Sequence, residues 1–172
     1  ALALNGNVDG FAVTNNVVRD VNNIGIVFIG GETDINPDPT KAARNGVCRG
    51  NRVMRAREKG GGWAAGIYVD GGRDIVIESN LVTESDIGIE IGAENPGQVA
   101  SGVVVRDNLI YANDKAGLAF GGYAAQVGRT RSCELRNNTI FRNDPDGIGF
   151  GELWIQWADG NTVRNNLIYG TV

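Results

Sequence analysis

An asparagine returns along this chain at Asn16, Asn51, Asn80, Asn108, Asn138 and Asn166, at intervals of 35, 29, 28, 30 and 28 residues. Three residues before these marks stand Val13, Cys48, Ile77, Val105, Leu135 and Val163, and two residues after stand Val18, Val53, Val82, Ile110, Ile140 and Ile168. All are apolar. Two residues before each mark the side chain is polar instead: Thr14, Arg49, Glu78, Arg106, Arg136 and Arg164. That alternation is the signature of a strand with one buried face. A unit of about 30 residues cannot enclose a core alone, so the units must stack.

A second strand recurs in most periods, as GIVF (25 to 28), GIYV (66 to 69), GIEI (88 to 91) and GLAF (117 to 120). Its inward pairs are Ile26 with Phe28, Ile67 with Val69, Ile89 with Ile91, and Leu118 with Phe120. In the fifth period GIGF (147 to 150) competes with ELWIQW (152 to 157) for this place. The length and pattern of 152 to 166 favour the latter, with Leu153 and Ile155 pointing inward and 144 to 151 forming an inserted loop. The 26 glycines and the short Val/Ile-rich runs agree with many brief strands joined by tight turns. Stacked turns of this kind form a parallel solenoid with neighbouring strands about 4.8 Å apart.

The motifs VRDNLIY (105 to 111), LRNNTIF (135 to 141) and VRNNLIY (163 to 169), with the GI-x-I strands, resemble the right-handed parallel β-helix repeats of the pectate-lyase-like superfamily. The resemblance covers nearly the whole chain and implies an all-β, right-handed parallel β-helix of about five to six turns, with long loops at two corners. A leucine-rich repeat is the competing fold, but it usually has a helical segment where this chain has a second β-branched strand. The recurrent amides are expected to hydrogen-bond from turn to turn. Cys48 and Cys133 belong to turns roughly 14 Å apart, too far for a disulfide.

The net charge of −4 argues against a nucleic-acid partner. No apolar run reaches the roughly 20 residues of a membrane span. The absence of histidine excludes imidazole as base, nucleophile partner or metal ligand. The resemblance implies enzymes of polysaccharides, but polygalacturonases carry a Gly-His-Gly motif and mannuronan epimerases an Asp-Pro-His motif, so neither is matched. Pectate lyases use acidic calcium ligands and an Arg base, which have no assignable counterparts in this sequence. An extracytoplasmic or secreted location is expected. Both ends look cut across the repeat, so 1 to 172 reads as one domain, a fragment of a longer solenoid or a unit with end-to-end or neighbouring-domain partners.

Loops following the GI-x-I strand (30 to 46, 92 to 101, 121 to 132) and loops preceding it (55 to 65, 144 to 151) are expected to wall a groove over that sheet. The outward column then contains Tyr68, Glu90, Ala119 and Trp154, with Asp70 diagonal to Glu90. Asp70 and Glu90 are the candidate catalytic acid and base, since a cross-strand diagonal of about 7 to 8 Å suits glycosidic chemistry. Tyr68, Glu94, Trp154, Gln156, Trp63 and Tyr123 are the candidate contacts to a polysaccharide or oligosaccharide, the rings facing C–H surfaces and the polar groups bonding hydroxyls. The expectation is a polysaccharide lyase or glycoside hydrolase, with a glycan-binding or adhesin-type scaffold as the alternative. No cofactor is required by these residues; calcium beside Glu94, Asp70 and Glu90 is the one ion considered. The Arg106, Arg136, Arg164 ladder does not by itself require a polyanion.

Overall fold

The computed structural model describes all residues of the 172 except Gly31, Thr33, Asp34, Ile35, Pro37, Tyr123, Ile148, Gly149, Thr171 and Val172. The described chain forms 21 short strands and one 3-10 turn, Pro39–Lys41. Every pairing between these strands is parallel, and they compose three sheets that wind around one interior.

The floor sheet contains Leu2–Asn5, Ile26–Ile29, Ala65–Asp70, Ile87–Gly92, Ala116–Gly121 and Leu153–Gln156, in that spatial order. Its register places Ile67 between Ile26 and Ile89, then Leu118 and Leu153. Leu153 and Ile155 pair with Leu118 and Phe120, as the longer alignment of the fifth period predicts. Leu2–Asn5 escaped the sequence reading: it precedes the supposed first turn and pairs with Ile26–Ile29. Its alternation, LALN, is too short to announce itself without a partner. The expected loops 92 to 101 and 121 to 132 also contain strands, Val99–Ser101 and Arg129–Arg131, which pair with each other and widen the second sheet.

The interior consists of stacked columns. Val13, Cys48, Ile77, Val105, Leu135 and Val163 lie directly over one another, as do Val18, Val53, Val82, Ile110, Ile140 and Ile168. Middle members are sealed from solvent, whereas Ile155, Val163 and Ile168 of the last turn are 43–47% exposed. Each buried aliphatic side chain contributes about 1.5–3 kcal/mol. Burial pushes the Cys48 thiol up to about 12, and both cysteines are free.

The amide ladder fixes the phase. Asn51, Asn80, Asn108, Asn138 and Asn166 each accept two hydrogen bonds at Oδ1, from the backbone N–H and the Nδ2 of the preceding ladder asparagine, at 2.9–3.1 Å. The Nδ2 groups of Asn51, Asn80, Asn108, Asn138 and Asn166 also donate to the carbonyls of Val13, Cys48, Ile77, Val105 and Leu135. The residue before each ladder amide adopts a left-handed φ: Asn15, Gly50, Ser79, Asp107, Asn137 and Asn165. Short polar side chains and glycine tolerate that corner.

A second ladder, unpredicted from the sequence, runs from Ser85 through Asn113 and Asn143 to the buried carboxylate of Glu152. Glu152 thus ends the inserted loop by occupying an asparagine's place. Outside, Arg106 bonds to Glu78 while Arg136 and Arg164 share Glu134, so opposite charges interleave with the arginine ladder. Tyr111 and Phe141 stack at 5.2 Å on the third sheet.

Replacing Asn108 by Ala removes two donations, strands the backbone N–H of buried Asn80 and leaves its Nδ2 with only the Cys48 carbonyl. A loss of about 3 kcal/mol is expected in urea unfolding. Asn166→Ala, at the partly exposed end, is expected to cost less; equal losses would contradict a cooperative ladder.

Candidate active site

The outer face of the floor sheet carries a trough. Val27, Tyr68, Glu90, Ala119 and Trp154 stand in one register column, and Asp70, Gly92, Gly121 and Gln156 follow the neighbouring one. Small residues at 92, 119 and 121 leave depth between the larger ones. A methyl group on Gly92 would meet the Gly121 carbonyl at 2.6 Å, so the floor also needs glycine for close strand approach. Val27, Ala65, Tyr68, Ile87, Ala116 and Ala119 form a second apolar cluster beneath the walls.

The cleft walls rise from the loops 55 to 65 and 92 to 101, two of the five expected to supply them. On one side residues 58 to 63 rise with Glu58, Gly60, Gly61, Gly62 and Trp63; on the other stand Ala93 and Glu94. Between them two overlapping clefts of about 370 and 400 Å³ share Trp63, Glu90 and Glu94. A small recess toward Gln156 is bounded by Tyr68, Glu90, Phe120 and Trp154. Asp86 anchors the glycine-rich wall at both ends, accepting from the backbone N–H of Glu58 at 2.8 Å and of Ala64 at 2.9 Å.

Trp63 meets Phe150 edge-to-face at 4.6 Å and Trp154 at 6.4 Å, and Phe150 lies 4.1 Å from Trp154. The three rings make an aromatic corner in which Trp63 is still 42% exposed. Sequence reasoning found Trp63 and Trp154 but missed Phe150, which lay in the GIGF segment set aside as a loop. Asp86 and Glu58 were missed as well, because neither belongs to a repeating position. Tyr123 lies outside the described residues.

The carboxyl groups are arranged differently from a simple Asp70–Glu90 pair. Asp70 is 4% exposed, and its Oδ1 accepts the backbone N–H of Glu94 at 3.1 Å, behind the trough. Glu94 is exposed and its Oε1 accepts from the buried Tyr68 hydroxyl at 3.3 Å. Glu90 is half-buried on the floor and lines the same clefts as Glu94. The structure therefore brings Glu90 and Glu94 together in the open space and places Asp70 as a support beneath Glu94.

Burial, then the charges of Glu94 and Asp70, push the Glu90 carboxyl up to about 8. Burial, then the Glu94 and Glu32 charges, raise Asp70 to about 7 against the opposing hydrogen bond from the Glu94 N–H. The Tyr68 phenol is raised well above its ordinary value, first by burial and then by Glu90, Asp70 and Glu94, so it stays a neutral donor. Among the described residues no group of three His, Cys, Asp or Glu side chains is placed to hold a metal ion.

A parallel β-helix with a walled trough of acids and rings along one sheet is the class of protein these observations define. The chain belongs to the right-handed β-helix region family, whose pattern matches residues 1–172. It is 41% identical over 175 residues to the uncharacterized protein YwoF of Bacillus subtilis (strain 168), covering 98% of this chain and 37% of that protein. Crystal structures of the periplasmic alginate epimerase AlgG and of a mutant of it superimpose with a TM-score of 0.73 at 11% identity. Those matches cover 96% of this chain and 35% of theirs, and at that identity they show a common fold. The chain thus spans little more than a third of the length of these relatives.

The raised carboxyls dictate a pH dependence of stability. Folded Asp70 and Glu90 hold protons that the unfolded chain releases near its ordinary values of 3.8 and 4.5. Their contribution is full below about pH 4 and is lost as pH rises through about 7 and 8. Melting temperature is expected to fall across that window, and Glu90→Gln to flatten the fall and melt higher than wild type near pH 9. Thermal melts between about pH 5 and 9 check both.

Proposed function

We propose that the trough binds a polysaccharide and that Glu90 supplies a proton to the bond being cleaved. The observation that carries this reading is the placement of Glu90 in a cleft beside three aromatic rings and the Glu94 side chain, where burial and neighbouring charges push its carboxyl up to about 8. A carboxyl held near the working pH is what general acid catalysis requires. Glu94 lines the same cleft, its side chain accepting from the Tyr68 hydroxyl and its backbone N–H donating to Asp70. Asp70 in this scheme acts through Glu94 as a positioning residue. Trp63, Phe150 and Trp154 offer faces to sugar C–H surfaces, and Gln156 offers an amide to hydroxyls.

The long, open form of the groove supports a chain-like ligand over a compact metabolite. Polymers of this kind are met outside the cytoplasm, and the periplasmic location of the fold neighbour agrees with that placement. The whole protein's activity also draws on whatever adjoins these turns in the longer relatives.

The test is a glycan array followed by product analysis on the glycans bound. Glu90→Gln is expected to lower turnover about 100-fold or more while retaining binding. Wild-type activity should decline as pH rises through about 8, where Glu90 loses its proton. Trp154→Ala should weaken binding about tenfold. Saturable binding without products would make the trough a binding module, and turnover unaffected by Glu90→Gln would remove Glu90 from the chemistry.

A further inference from the structure

The small recess at the Gln156 end of the trough is a feature that bond cleavage does not itself require. We infer that it receives the acetyl substituent of an N- or O-acetylated sugar, so that the trough selects acetylated glycans. This inference rests on the proposed glycan-binding role of the same trough.

The recess opens because large and small side chains alternate across three floor strands. Glu90 stands on Ile87–Gly92 and Trp154 with Gln156 on Leu153–Gln156, while the strand between them presents only Ala119 and Gly121 to this face. The two outer strands are about 9.6 Å apart, two strand spacings, with little filling the gap. A Cβ at Gly121 would collide with the Gln156 carbonyl, so that position stays bare. The space left is about 30 Å³. One water needs about 10–15 Å³, so the recess takes two or three heavy atoms.

Its lining is ordered by depth. Ala93 and Ala119 are 2% and 4% exposed, whereas Glu90, Trp154 and Gln156 are half-buried at the rim. Neither the Glu90 carboxyl nor the Gln156 amide has a hydrogen-bond partner among the described residues. A matching group therefore ends in an apolar atom and carries a polar one just behind it. An acetyl group has that order. Its methyl leads onto the alanines and the Trp154 ring, and its carbonyl oxygen follows on the next carbon, at the level where the Gln156 amide can donate. A hydroxymethyl group enters with its hydroxyl first and sets it against the two alanines, away from both rim groups, which costs a hydrogen bond. A water alone leaves the alanine and tryptophan surfaces without an apolar partner. One buried methyl and one hydrogen bond together favour the acetylated sugar about tenfold or more.

Calorimetric titration with paired ligands that differ in acetylation tests this. Chito-oligosaccharides against cello-oligosaccharides of equal length probe the N-acetyl source. Acetylated xylan and mannan against the same polymers after alkaline deacetylation probe the O-acetyl source. The expected result is about tenfold tighter binding of the acetylated member in at least one pair, with the acetyl methyl giving the strongest saturation-transfer NMR signal of the bound sugar. N-Butanoyl chito-oligosaccharides, too long for the recess, should lose the gain. Ala119→Val, which adds two methyl groups at the floor and keeps a strand-forming residue, should bring the ratio within the pair close to one. Gln156→Leu, which removes the donor, should narrow it severalfold. Equal affinity within every pair, binding confined to unacetylated glycans, or a ratio unchanged by both substitutions in variants that melt like wild type, would overturn the inference while leaving the glycan trough standing. Failure of every glycan class to bind would instead remove the underlying reading.

Discussion

In-phase stacking of successive turns governs everything else in this molecule. The amide ladder enforces it because each buried asparagine has two donors and one doubly accepting oxygen, and all are satisfied only when the next turn lies directly beneath. A slip of one residue would reverse every side chain, moving Ile67 and Ile89 outward and Tyr68 and Glu90 into the core. The left-handed corner residues and the second ladder ending at Glu152 hold the same phase at other bends.

That phase converts a linear repeat into a surface with chemistry. Residues 22 to 35 positions apart in sequence become neighbours about 4.8 Å apart, and the floor alternates large and small side chains across the strands. Elevated proton affinity then follows from placement. Glu90 is flanked by walls that remove water and by carboxylates of the same sign, and no basic side chain is among the described residues that line its clefts. The arginines of the second sheet show the contrast, since Glu78 and Glu134 meet them from adjacent turns.

Most of the architecture was legible in the chain, for a specific reason. A repeated turn shows the same inward and corner requirements at each winding, so Val13, Cys48, Ile77, Val105, Leu135 and Val163 identify one another by position. Leu2–Asn5 was missed because a four-residue strand before the first corner mark has no such company. The second ladder left only a faint trace, an asparagine five residues beyond Asn108 and Asn138, because Ser85 and Glu152 replace the amide at its two ends.

The site was legible as a column and illegible as a constellation. The sequence by itself determined the fold, the outward direction of Tyr68, Glu90 and Trp154, and the corners from which the walls rise, since period-two alternation and turn spacing are local properties. Only the tertiary structure decided that Asp70 lies beneath Glu94, that Phe150 joins Trp63 and Trp154, and that Asp86 clasps the glycine-rich wall. Those contacts join loops of unequal length from different turns. Burial and charge at Glu90 depend on how these irregular segments close over the repeat, and no periodicity encodes that closure.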